Sequence, residues 1–366
     1  MKKTFFLLVI GAIFIGCSSS DNDPETPVDN FDRSAMLANW ADNIIIPSFQ
    51  NYVAGLNELK SAKDAFNASS DNTTLQNLRT AWLTAYTRWQ HVSMFEIGRA
   101  EAITLRNFTN IYPADAQEID DFVANGNYNL TLPSTNDAQG FPALDYLLFG
   151  LGADDTAVLN ALGANNAKTY LSDVVERLVA LGTDVLTDWT TSYRDTFVGN
   201  DGSSATSSVN KMVNDFMFYY EKALRAGKIG IPAGVFSTSP LADRVEAYYN
   251  RDVSKALFLA SLNAAQDFFN GKHYNSNSTG ESLRSYLDAL SVDKEGTRLS
   301  TLINNQFDAS RTSANNLANN LADQVTTDNS RMLQTYDQLQ MNVVLMKVDM
   351  FQALSIQVDF VDADGD

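Results

Sequence analysis

Two kinds of side chain could support chemistry in this 366-residue chain: acids set into apolar runs, and histidines, of which there are two, His91 and His273. In "GFPALDYLLFG" (140–150) one acid interrupts an otherwise apolar stretch. Gly140 supplies a turn, and Pro142 suits the first position of a helix, where an N–H has no intrahelical use. Asp145 then falls at the end of the first turn. An acid there either complements the helix macrodipole, worth a few tenths to about 1 kcal/mol, or faces a site that needs a carboxylate. A second acid, Glu96 in "FEIGRAE", is followed by Gly98, Arg99 and Glu101, and Glu246 lies in "DRVEAYYN". Hard cations take oxygen ligands, and Glu96, Glu101, Asp145 and Glu246 could supply them if the fold brings them together.

Zinc hydrolysis is poorly served by this inventory. The chain has no His-Glu-x-x-His pair on one helix face. His91 and Glu96, five residues apart, would lie about 140° apart around a helix. His273 follows Gly271, a helix-ending glycine, and reads as an exposed loop histidine. No serine has a histidine beside it, and no glycine-rich phosphate loop follows a strand. The acidic tail "DFVDADGD" lacks the twelve-residue frame and final glutamate of a calcium loop.

The elements that must position these groups are helices. Residues 75, 78, 82, 85, 89 and 92 (Leu, Leu, Trp, Ala, Trp, Val) alternate three-four and form one apolar seam through two tryptophans. The next position in that alternation is Glu96; either it sits in the seam, where a buried carboxylate needs a partner, or Phe95 takes the seam and Glu96 turns outward. Similar stripes run through 170–197, 209–224, 241–269, 299–325 and 332–358, and no period-two stretch is long enough for a sheet. The expectation is an all-α protein of two helical bundles, residues 32–200 and 201–366, since about 335 residues exceed one bundle core. The break falls in "VGNDGSSATSS" (198–208). Duplication could relate the halves, although no fixed repeat period marks it.

Lys2-Lys3 precede thirteen uncharged residues, Thr4 to Gly16, too short a run for a permanent membrane span and suited to a signal peptide over residues 1–16. Gly16-Cys17 resembles a lipobox, so the chain's one cysteine becomes the lipidated first residue of the mature protein and residues 17–31 a polar tether. Ser18 and the acidic run after it point to the outer membrane, facing the periplasm or the surface. Losing Lys2 and Lys3 takes the formal charge from −18 to −20, with 24 basic against 44 acidic side chains. Nucleic acid is therefore excluded as a partner.

The stretch "GFPALDYLLFG", the paired-Trp helix ending in "FEIGRA", "AGKIGIPAGVFS", "DRVEAYYNRDVSKA" and the terminal "DMFQALSIQVDFVDADGD" together resemble the imelysin-like family, also filed as M75 peptidases, in order from about residue 35 to 366. The resemblance implies two related helical bundles and an envelope protein linked to iron acquisition. The family's Gly-x-His-x-x-Glu element, held between the bundles and proposed to bind metal, aligns with Gly140, Pro142 and Asp145, so the imidazole is replaced by proline. It implies a pocket lined by Gly140, Pro142, Asp145, Glu96, Arg99 and Glu246, with Asp145 and Glu96 as metal ligands and iron or another hard cation as the cofactor. Three readings follow: a non-catalytic binding or accessory lipoprotein working with envelope transport proteins, an M75-type metallopeptidase, and a docking lipoprotein whose pocket is vestigial.

Overall fold

The three-four seams become helices because each has one face to bury and a start signal to fix its register. The computed structural model describes residues 29–360, so Cys17, the signal peptide and most of the tether lie outside the described residues. Helix α1 (Ile46–Ala68) carries Pro47 in its first turn. Helix α2 (Asn72–Trp89) opens on a reciprocal cap: Asp71 accepts the Thr74 N–H, and the Thr74 hydroxyl accepts the Asp71 N–H. Its buried residues include Leu75, Leu78, Trp82, Ala85 and Trp89, and Val92 beyond its end is buried as well.

A short helix α3 (Gly140–Asp145) carries the motif and runs on as a π-helical turn (Tyr146–Gly150). Pro142 is the third residue of α3 and not the first; the fit is equally good, because none of the first four N–H groups of a helix has an intrahelical acceptor. Helix α4 (Asn165–Asp188) buries Leu171, Val174, Leu178 and Val185, and α1 packs against both α2 and α4.

After an exposed loop over 200–206, helix α5 (Ser208–Phe218) starts on a Ser207 cap and continues as a π-helix (Tyr219–Gly230). Helices α6 (Ser254–Phe269), α7 (Leu299–Asn315) and α8 (Asn329–Val343) complete a second group, with α7 packed on α6 and α8, and α8 on the π-helix. The strands among the described residues are one two-residue pair, Asp293–Lys294 with Thr297–Arg298. The protein is all-α. Among the described residues, those from Phe31 on make one compact unit, and a single apolar core includes Trp82 and Trp89 from the first group with Phe216, Phe268 and Phe307 from the second.

Candidate functional site

The motif helix is held by its own backbone. Gly140 has φ +76°, and a Cβ there would come within 2.2 Å of the Thr109 carbonyl oxygen, so the position takes glycine for both conformation and space. The Trp82 indole N–H donates to the Phe141 carbonyl at 3.2 Å, and Tyr86 stacks on Phe141 with centroids 4.5 Å apart. These contacts fix where Asp145 points.

Asp145 is buried, and each of its carboxylate oxygens accepts one backbone N–H, from Tyr249 at 2.8 Å and Asn250 at 2.9 Å. The donors belong to an irregular segment whose residues Val245, Glu246 and Ala247 are buried. Backbone N–H groups in such a segment need acceptors, and a side chain must provide what a helix or sheet does not. Burial pushes the Asp145 carboxyl up to about 7; the two N–H donors oppose that rise and the charge of Glu246 adds to it.

Glu246 anchors a second set of contacts. One oxygen accepts from Asn110 at 2.8 Å and Gln90 at 3.3 Å, and the other pairs with the Lys228 ammonium. Lys228 also donates to the Gln90 side-chain Oε1 at 3.0 Å, to which the Ser261 hydroxyl donates at 2.7 Å. Gln90, Lys228, Glu246 and Ser261 are all buried, so this is a closed polar network joining the two helix groups.

Glu96 and Arg99 do not join Asp145. The α-helix of the tryptophan seam stops at Trp89, so the three-four alternation does not extend to residue 96: Phe95 packs on Phe268, and Glu96 turns to Arg106. Arg106 bridges Glu96 at 2.9 Å and Asp215 at 2.9 Å, while Asp215 also accepts the Glu96 N–H at 2.6 Å. Burial pushes Glu96 up to about 7 against the pull of Arg106. Arg99 is exposed and pairs with Asp184. Asp145 and Glu96 therefore belong to separate clusters, and a shared metal site is not what they build.

Nor does the motif junction suit a cation. Every carboxylate oxygen of Asp145 and Glu246 faces an N–H or ammonium donor, which would repel a metal brought to the same atom. Among the described residues no three His, Cys, Asp or Glu side chains converge as metal ligands. His91 and His273 line one cleft of about 260 Å³ together with Asp267. His273 is half-buried there, a correction to its reading as an exposed loop residue. His91 meets Tyr274 edge-on at 5.4 Å, and burial pushes its pKa down.

A second cleft, of about 280 Å³, lies beside the Glu246 network and was not foreseen in the sequence. One wall carries Trp89, Ser93, Arg106 and Tyr112; the facing wall carries Phe218, Tyr219, Lys222 and Lys228, with Arg244 from the loop beyond. The lining pairs Lys222 with Gly227 and Ala223 with Lys228, each five residues apart. That spacing is the repeat of the π-helix they occupy; on an α-helix each pair would diverge by about 140°.

The architecture is that of an all-α protein whose two helix groups meet across a buried polar junction. Within that class, a sequence model of the imelysin family, peptidase M75, matches residues 45–345, and the chain belongs to this family. Iron-regulated protein A of Synechococcus elongatus is 25% identical over 114 residues, a match spanning 31% of this chain and 31% of that protein. Two crystal structures share the fold. One, of a candidate iron-regulated protein A precursor from Parabacteroides distasonis, has a TM-score of 0.68 at 20% identity, covering 87% of this chain and 95% of that one. The other, of an imelysin-like protein from Psychrobacter arcticum, has a TM-score of 0.69 at 17% identity, covering 90% and 97%.

Proposed function

We propose that this chain is an outer-membrane lipoprotein, anchored through Cys17, with a non-catalytic binding or accessory role in iron uptake, and that its binding surface is the cleft between Trp89 and Lys222. The observation that carries the reading is the state of the motif itself. Pro142 offers no ligand atom where the family has histidine, and both Asp145 oxygens are taken by backbone donors. A hydrolytic metal centre needs several protein ligands and one open position; the residues at this junction favour a clamp between helix groups. The link to iron draws on the names of two similar proteins, both iron-regulated protein A. The anchor draws on Gly16-Cys17.

The test is growth of a deletion strain under iron limitation, complemented with the wild-type chain, with Cys17→Ser, and with Ala223→Trp, which fills the cleft. The expected result is a deficit restored by the wild type and not by Ala223→Trp, with Cys17→Ser released from the membrane fraction. Full restoration by Ala223→Trp would favour a docking lipoprotein with a vestigial pocket. Metal-dependent, chelator-sensitive peptide cleavage by the purified protein, abolished in Asp145→Ala, would reinstate the metallopeptidase.

A further inference from the structure

The cleft differs from the rest of the molecule in charge. The chain has 44 acidic against 26 basic side chains, yet the lining of this cleft contains Arg106, Lys222, Lys228 and Arg244 and no acid. Two of these cations are compensated from behind the wall, Arg106 by Glu96 and Asp215, and Lys228 by Glu246. The other two are held loosely. Lys222 lies 3.4 Å from Glu221, a carboxylate that also serves Lys347 at 2.9 Å and Arg225 at 3.6 Å. Arg244 is exposed, and its ion pair with the neighbouring Asp243 is long, 3.9 Å.

A second, independent observation concerns polar atoms. The Trp89 indole N–H, the Ser93 hydroxyl and the Tyr219 hydroxyl are buried without a hydrogen-bond partner in the protein, and all three residues line this cleft. An indole N–H can only donate, so the atom that completes it must be an acceptor. Most buried polar groups in proteins are hydrogen-bonded, and donors left over at a cleft are open to a partner from outside, water or ligand. The rest of the lining sets Tyr112 and Phe218 beside Trp89 and Tyr219, with the amides of Gln90, Asn107 and Asn110 among them. The volume of about 280 Å³ sits at the small end of ligand pockets, roughly 300–1,000 Å³.

From these observations we infer that the cleft binds a small aromatic organic anion: a flat ring body between Trp89, Tyr112, Phe218 and Tyr219, with an acidic group drawn to Lys222 and Arg244 at the mouth and accepting from the buried donors. The inference rests on the cleft being the binding surface and adds the class of ligand. A bare metal cation is the wrong sign for this lining, and a neutral ring would leave Lys222 and Arg244 unused.

Calorimetric titration of the full-length chain tests the assignment, with 2-naphthoate as the anion and 2-naphthamide as an uncharged ligand with the same ring. At low salt, naphthoate should bind at least about tenfold more tightly than the amide, the scale of one charge-assisted hydrogen bond. The double variant Lys222→Gln/Arg244→Gln should lose most of that preference. Tyr219→Phe should weaken naphthoate by roughly threefold to tenfold, the value of one neutral hydrogen bond, without lowering the melting temperature. Equal binding of the two compounds, or wild-type affinity in the double variant, would overturn the assignment; so would wild-type affinity in Trp89→Phe together with Tyr219→Phe, which would mean that these donors meet no ligand. If neither compound binds while Ala223→Trp still fails to restore iron-limited growth, the ligand class falls and the uptake role stands. If naphthoate binds as expected while Ala223→Trp restores growth fully, the ligand class stands and the uptake role falls.

Discussion

The Asp145 junction and the neighbouring cleft lie between the same two helix groups, and they treat polar atoms in opposite ways. At the junction, Asp145 accepts two backbone N–H groups, and Glu246 is ringed by Asn110, Gln90 and Lys228. In the cleft, Trp89, Ser93 and Tyr219 keep donors without a protein partner, and Lys222 and Arg244 have only long ion pairs. A saturated polar cluster rigidifies and positions; an unsaturated one has stabilisation still to gain from a ligand. The Gly140–Asp145 helix therefore marks a place where the helix groups are tied together, and the capacity to bind has to be sought next to it.

The comparison breaks if the junction proves dispensable. Lys228→Met would leave Glu246 buried opposite no cation, and should destabilise by about 3–5 kcal/mol, measured by urea unfolding. A cost below about 1 kcal/mol would mean that Glu246 is solvated and the network is not closed. Asp145→Ala should cost about 2–4 kcal/mol, since it orphans the N–H groups of both Tyr249 and Asn250.

The effect of pH sharpens the same contrast. The folded Asp145 carboxyl keeps its proton up to about pH 7, against an ordinary value of 3.8. Between those values the folded state binds more protons than the unfolded one, so this residue's contribution to stability is greatest at low pH and declines as pH rises through the window. Subtracting the Asp145→Asn profile from the wild-type profile between pH 4 and pH 8 isolates that decline, because carboxyls shifted elsewhere, such as Glu96, cancel. A flat difference would show that Asp145 is ionised throughout and that its two N–H donors outweigh burial. The smallest effect is expected in the cleft. Ser93→Ala and Tyr219→Phe each remove a hydroxyl with no protein partner, and should leave stability within about 0.5 kcal/mol of wild type or raise it.

Much of the helical scaffold could be read from residue types. The seam at 75, 78, 82, 85, 89 and 92 is buried as its spacing requires, and the Gly/Ser/Asn run at 198–208 contains an exposed loop. The seam left the place of Glu96 open for an identifiable reason: the helix ends at Trp89, although no glycine or proline between residues 90 and 97 announces it. The wall of the second cleft was hidden in a different way. Its lining residues recur every five positions along a π-helix, and a reading at the α-helical period scatters them around the axis.

By itself the sequence determined the all-α class, the register of the long seams and the excess of acidic over basic side chains. Each of these depends on residue identity or on spacings of three and four, which a chain carries locally. Tertiary structure alone decided what the acids do. Asp145 and the two N–H groups it accepts are 104 and 105 residues apart, and Gln90 meets Glu246 across 156. A carboxylate's role is set by the donors that reach it and the water that does not, and neither is a local property of the chain.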